Sequence, residues 1–555
     1  MDIKKKVEVV FIWHMHQPFY KDIVTGAYLM PWVRLHGIKD YYPMAALLEG
    51  LDNVKATFNM VPSLVEQIND YAQNGASDIF LDLTVRKASS LTLEEKVQLL
   101  DDFFRVNFKH FISPSARYSE LLIKKGVKDT PAFLKKAARD FSDRDYLDLQ
   151  VLFNLSWFHS ISLDDDVNLK DLIAKKESYS EEDKEYIVFK QRDILARILP
   201  LYKRLQDEGR IEITTTPYYH PIVPLLCDTS VAKVSLPGVN LPQKRFSHPE
   251  DARWHIAEAI KCCTTQFGRS PRGMWPSEGS VSDETLDLMS SCGVEWVATD
   301  EDILFNTLTR HDTRYQGPGA PLDRRLIYRP YTLKKDSRKI TLVFRDKNLS
   351  DMISFAYNSW DQAAAAGDLL GHFKRISDNL RRDVDTGLLT IVMDGENAWE
   401  HYADNGRRFF ETLYAGLAGE NDAYGSTTVS DYLASESPRK VIADIFPGSW
   451  IDHNFAIWIG EEQDNLSWDY LYKVRSDLVR FTREFHKSGK AGGEEIQKAW
   501  RALYRAEGSD WNWWYGGAAR SGGNNPFDRL YRMHLASVYN LLKKPVPDFL
   551  KISIA

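Results

Sequence analysis

Cysteine is scarce in this chain. Only Cys227, Cys262, Cys263 and Cys292 occur in 555 residues, and none forms a CxxC pair or a Cys/His set with zinc-finger spacing. That excludes a disulfide framework and a structural zinc knuckle, and points to a reducing compartment. Long apolar runs are missing as well. No stretch approaches ~18 uninterrupted apolar residues, which excludes a transmembrane helix. Positive charge is not in excess: the formal net charge is −7, which argues against a nucleic acid or an anionic membrane as partner. Internal repeats and low-complexity segments are absent too. At the N-terminus, basic residues precede an apolar run. Glu8 interrupts that run, His14 closes it and no small-residue cleavage site follows, so it reads as a first strand, not a signal peptide. The cytoplasm is the expected location.

What the chain does have is rings. There are 15 Trp, 26 Tyr and 27 Phe, and many of the tryptophans stand in polar, loop-like contexts. Flat faces outside a core suit stacking on sugars or bases. The hydrophobic share of 43% and charged share of 27% are those of an ordinary globular protein, so the length predicts one large domain with an appendage.

Seven short apolar runs read as buried strands: 7–13, 54–59, 211–216, 272–275, 294–299, 340–344 and 388–393. Almost every one ends in a polar or aromatic cluster. The first ends in His14-Met15-His16-Gln17-Pro18, the third in Pro217-Tyr218-Tyr219-His220-Pro221, and the fourth in Trp275-Pro276-Ser277-Glu278. The fifth ends in Asp300-Glu301-Asp302, the sixth in Arg345-Asp346, and the last in Asp394-Gly395-Glu396-Asn397-Ala398-Trp399-Glu400-His401. Recurrence of such endings fits a parallel α/β barrel whose C-terminal face is a polar cleft. Between 61 and 207 the apolar spacing is helical, which is too much for one crossover and reads as an insertion at the barrel mouth. Pro31 to His36 reads as a loop, with Trp32 and His36 available to a ligand. The expected partition is a barrel over 1–406 with its insertion, then a mostly helical region over 407–555. The loops PGSWIDHNFAIWIG and SDWNWWYGG of that region are expected to add rings to the cleft.

Glu278 and Asp394 are the carboxylates delivered most directly by strand ends. Two carboxyls flanking a glycosidic bond can serve as nucleophile and general acid/base. Asp300, Glu301 and Asp346 stand at neighbouring strand ends, and residue type alone does not rank them. Aromatics and imidazoles around a carboxyl pair suit a polyhydroxylated substrate, since rings stack on sugar faces while His, Asn and Gln bond hydroxyls.

Five blocks, taken together, resemble glycoside hydrolase family 57: His16-Gln17-Pro18, GRIEITTTPYYHPIVPLL (209–226), MWPSEGSVSDE (274–284), MDGENAWEHY (393–402) and GSWIDHNFAIWIGEE (448–462). They stand in the family's order, and their long form is most similar to its α-amylase/amylopullulanase-like branch. The resemblance implies an incomplete (β/α)7 barrel followed by a helical region, and retaining chemistry on α-glucans without a metal or other cofactor. It implies Glu278 as nucleophile and Asp394 as general acid/base. The residues expected to bind the glucan are His14, His16, Gln17, Trp32, His36, Tyr219, His220, Trp275, Asp300, Glu396, Trp399, His401, Trp450, Asp452 and Trp458. One departure stands out: related chains carry an acidic pair after the Trp-Trp-Tyr-Gly segment, where this one has Gly517-Ala518.

Three readings remain besides hydrolysis of an α-glucan. A 4-α-glucanotransferase or branching-type enzyme would use the same residues. A metal-dependent hydrolase on a similar barrel would take His14, His16 and a strand-end Asp as zinc ligands. A non-catalytic glycan-binding protein is disfavoured by the presence of both acids.

Overall fold

From Val9 to Met15 every residue of the first strand is buried, on both faces, as a parallel strand covered by helices requires. The computed structural model describes residues 7–554 apart from 312–322, 336–337, 381–385, 420, 437–439, 489–492 and 516–524. Ten strands make one sheet: β1 Val7–Met15, β2 Ala56–Met60, β3 Ile211–Thr214, β4 Gly273–Met274, β5 Trp296–Asp300, β6 Tyr331–Lys335, β7 Arg338–Arg345, β8 Gly387–Asp394, β9 Tyr424–Ser426 and β10 Lys440–Ile442.

Seven of these run parallel around a nearly closed barrel. β1 lies between β8 and β2, and β2 pairs with β3. A lone bridge, Thr215 to Met274, links β3 to β4, which pairs with β5, and β5 with β7. A single pair, Arg345 with Thr390, joins β7 back to β8. The incomplete (β/α)7 barrel expected from the sequence is therefore present, with two thin seams. β6, β9 and β10 were not expected. β6 folds back antiparallel on β7, β10 extends β6, and β9 pairs with the start of β1. The sheet thus continues past residue 406, where the sequence set a boundary.

Alternation along the strands sorts side chains between two cores. Val10, Ile12, Trp275, Trp296, Ala298, Val343 and Val392 fill the barrel interior. Phe11, Trp13 and Met15 point outward, into the larger core beneath the helices. Gly273 has no room for a side chain, because a Cβ there would lie 1.9 Å from the indole of Trp296.

Between β2 and β3 the chain is helical, from Pro62–Gln73 to Glu181–Asp207. Residues 31–36 form no loop. Trp32–His36 is helical and runs through a wide turn at Gly37–Tyr41 into the helix Tyr42–Ala46. The reason is Arg34, whose buried guanidinium is fully occupied by Asp78 at 2.8 and 3.1 Å, Asn154 at 3.1 Å and Gln191 at 2.8 Å. A buried charge held by that many partners reads in sequence as an exposed polar residue. The C-terminal helices Glu462–Ser488, Gly493–Ala506 and Pro526–Leu541 dock on the barrel through His255–Glu507 at 2.9 Å and Arg505–Glu66 at 3.1 Å. Among the described residues no helix is long and apolar enough to cross a membrane.

Candidate active site

Strand register builds the floor of the site. Asp394, the last residue of β8, is the lateral partner of His14 on β1, and His14 of Asn59 on β2. A turn then re-aims the chain. Gly395 donates its N–H to the His14 carbonyl at 2.8 Å, and a Cβ at 395 would lie 2.1 Å from Met15 Sδ. Only glycine lets the backbone leave the strand this closely. Asn397, in the same turn, donates to Asp394 Oδ2 at 2.8 Å.

Glu278 arrives differently. After β4, Trp275 plugs the barrel and a tight turn at Ser277–Gly279 places Glu278 at φ 56, in the left-handed region. A non-glycine residue there costs on the order of 1–3 kcal/mol, and such strain collects at functional sites. The turn is held by Thr299 Oγ1, which donates to the Gly279 carbonyl at 2.7 Å. Trp450 completes the clamp, its indole N–H donating to Glu278 Oε2 at 2.6 Å.

Both acids line a cleft of about 1020 Å³. Burial raises the Glu278 carboxyl to about 8, helped by Asp394 and Asp510 and opposed by the Trp450 bond. Burial also raises Asp394, against the Asn397 hydrogen bond and the positive influence of His16 and Arg345. Two raised carboxyls side by side share one proton across the neutral range, as paired acids do. Glu396, also on the cleft wall, is raised well above the usual range by burial and Asp394, while Tyr41 donates to its Oε2 at 3.0 Å.

Three imidazoles stand beside the pair. His14 Nδ1 donates to Asn59 Oδ1 at 2.7 Å, and its Nε2 meets His220 Nε2 at 3.1 Å. His220 Nδ1 accepts from Ser509 at 2.8 Å, and lies 4.0 Å from Glu278 Oε1. Burial, then His16, holds His14 down to about 3; burial and the two other rings hold His220 well below its ordinary value, so both stay neutral. His16 Nε2 pairs with Asp510 Oδ1 at 2.7 Å. His16, His220 and Asp510 offer ligand atoms within 4.8 Å of one another and are the set that could hold a metal ion. His14, proposed from the sequence as a zinc ligand, is outside that set because both its nitrogens are taken.

Of the expected glucan-binding residues, His14, His16, Gln17, Trp32, His36, His220, Glu396 and Trp450 line the cleft. The others stand off its wall. Trp275 is inside the barrel, and Trp399 is packed against Trp13, Tyr402 and Phe410. Trp458 is buried, with its ring 6.3 Å from Trp513. Tyr219 turns away to donate to Glu66 at 3.1 Å. His401 points outward beside Asn107 and Glu400, and Asp452 is exposed at φ 48. Asp300 is spent on Arg345 at 3.1 Å, Glu301 on Arg324 at 2.7 and 2.8 Å, and Asp346 on Arg324 and Tyr328. These ion pairs remove the three acids that rivalled Glu278 and Asp394 on the sequence alone.

Residues not expected also line the cleft: Tyr20, Trp157, Asn397, Ser509, Asp510, Trp513 and Trp514. The aromatic signal of SDWNWWYGG was visible, but not that Asp510 would reach His16. Gly517 and Ala518 lie outside the described residues.

No curated protein matches the chain. Solved structures do, at identities that carry the fold alone. A branching enzyme of Thermococcus kodakaraensis superposes with a TM-score of 0.61 at 15% identity, over 98% of this chain and 93% of its own. An α-amylase of Thermotoga maritima gives 0.58 at 13%, over 97% and 93%. A 4-α-glucanotransferase of Thermococcus litoralis gives 0.51 at 12%, over 96% of this chain and 60% of that one. The model of glycosyl hydrolase family 57 matches residues 10–444, from within β1 to just past β10 and through both acids, and to that family the chain belongs.

Proposed function

We propose that the cleft cleaves α-glucans by double displacement, with Glu278 as nucleophile and Asp394 as general acid/base. The observation that carries this is the pairing of two buried carboxyls on the floor of one cleft, each with its own hydrogen-bond donor. A retaining reaction needs one carboxyl ionised to attack the anomeric carbon and the other protonated to release the leaving oxygen. A pair that shares one proton supplies that state near neutrality. Trp450 stabilises negative charge on Glu278, which favours Glu278 as the attacking anion. Once the glycosyl-enzyme forms, Glu278 carries no charge, and Asp394 can take a proton from the incoming water or sugar hydroxyl.

Substrate class follows from the wall. Trp32, Phe80 and Trp157 come from the helical segment between β1 and β3, and Trp513, Trp514 and Phe527 from the C-terminal region. Rings on two sides of the acids, with Gln17, His14 and Asn397 between them, suit a sugar chain running through the cleft. The named activities of the similar structures, all on α-glucans, support this choice. We read residues 62–207 as a wall over the cleft. Four free thiols support a reducing, cytoplasmic setting.

Transfer to a second chain is the other reading, favoured by the same two-sided aromatic wall, which offers an acceptor somewhere to bind. Product analysis on maltooligosaccharides, glycogen and pullulan tests both. Shortened chains with retained anomeric configuration mark hydrolysis, and lengthened or newly branched chains mark transfer. Failure to alter any of the three would reject the α-glucan assignment.

A further inference from the structure

His16, His220 and Asp510 converge from three remote parts of the chain: the end of β1, the loop after β3, and the turn following the helix Gly493–Ala506. The His16 and His220 rings lie nearly parallel, 3.9 Å apart at 16°. Asp510 Oδ1 is 2.7 Å from His16 Nε2. The other nitrogen of His16, Nδ1, is buried without a partner, so the ring can carry its proton there while Nε2 binds something else. His220 Nδ1 is held by one serine hydroxyl, a partner that can turn aside.

We propose that these three side chains bind a first-row divalent ion of the Zn²⁺ type, and that the bound ion shuts the cleft. Two imidazoles and one carboxylate select Zn²⁺, Ni²⁺ or Cu²⁺ over Ca²⁺ and Mg²⁺, which take oxygen ligands. Zinc sits about 2.0–2.1 Å from such ligands, so a tetrahedral set has its ligand atoms roughly 3.3 Å apart. The three atoms here, within 4.8 Å, reach that spacing by small side-chain rotations. The position left open faces Glu278, whose Oε1 is 4.0 Å from His220 Nδ1. An ion there pairs with Glu278 and occupies the space a sugar needs. It blocks the reaction and takes no part in it. The site stands on geometry alone and does not depend on the α-glucan reading.

The test reads binding, not turnover. The full-length chain, stripped with chelator, is titrated calorimetrically with ZnCl₂ and with CaCl₂ near neutral pH. One Zn²⁺ per chain is expected, with low-micromolar affinity and no Ca²⁺ heat. Asp510→Asn and His16→Gln should each weaken Zn²⁺ binding by on the order of 100-fold. His372→Gln, a histidine beside Asp368 and outside the cleft, should leave it unchanged. A zinc-soaked crystal of the unaltered chain should show an anomalous peak among the three residues, which decides the matter even if a variant fails to fold. No binding, undiminished binding in both variants, or a peak elsewhere overturns the proposal.

Discussion

Trp450 holds Glu278 at two points. Its indole N–H donates to Glu278 Oε2 at 2.6 Å, and its backbone N–H donates to the Glu278 carbonyl at 2.9 Å. The residue thus fixes both the strained turn and the charge it presents. Arg345 lies over the same indole, 5.1 Å from the ring, and Trp275 packs against its edge from below.

Trp450→Phe therefore keeps the ring and loses only the donor. A hydrogen bond to a charged group contributes about 1.5–3 kcal/mol, so kcat/KM near neutrality should fall by about 10–100-fold. The sign of the pH effect is fixed: the bond lowers the Glu278 pKa, and removing it raises the pKa further. The acid limb of the pH profile should move to higher pH. An unmoved limb would show that the bond does not tune the nucleophile.

The two acids should separate by substrate. Glu278→Gln abolishes the attacking group, and a loss on the order of 10⁴-fold is expected for glucans and aryl glycosides alike. Asp394→Asn should cost glucans far more than an activated aryl glycoside, whose leaving group needs no proton. Azide should partly restore the aryl reaction of that variant. Mass spectrometry of a trapped fluoroglycosyl-enzyme should find the label on Glu278. A label on Asp394 would exchange the two roles.

Trp275 and Trp513 should fail in opposite ways. Trp275 is fully buried in the barrel, so Trp275→Ala should cost about 3–5 kcal/mol, read as a lower urea midpoint. Trp513 is 37% exposed on the cleft wall, so Trp513→Ala should raise KM or shift product length with the melting temperature nearly unchanged. A stable Trp275→Ala chain would move that residue back to the substrate.

Away from the cleft, Glu507 is buried against His255, and burial pushes its carboxyl up to about 8. A folded-state pKa above the ordinary value means the protonated form is favoured by folding. That stabilisation is complete below the unfolded pKa of about 4.3 and is lost as pH rises through about 8. Glu507→Gln, which cannot ionise, should therefore melt at a higher temperature than the unaltered chain above neutrality, with the gap closing as pH falls toward 4.5. A pH-independent gap in scanning fluorimetry would place the effect in packing.

How far the sequence could be read depended on range. Continuous apolar runs such as LLTIVM mark strands whatever they pair with, and an acid at a strand end points to the rim in any parallel barrel. β6 was hidden because YTLKK carries two lysines and belongs to an edge hairpin, not to the buried ring. The tryptophans misled for a related reason. Trp275 and Trp399 sit among polar letters in sequence, yet Gly279 and Gly406, each with no space for a Cβ against those indoles, show that the turns close over them. The strand-end acids could be ranked only once Arg324 and Arg345 were seen to neutralise Glu301, Asp346 and Asp300.

The bond between His16 and Asp510 spans 494 positions of sequence, and His534 reaches back to the Phe19 carbonyl across 515. Such contacts give the cleft a history in time. During synthesis both acids leave the ribosome well before Asp510 is made. At roughly 5–20 residues per second that interval is on the order of ten seconds. Throughout it the nascent chain holds Glu278 and Asp394 without the carboxylate that tethers His16. Glucan chemistry is thus withheld from the growing polypeptide and switched on by the last helices to be translated.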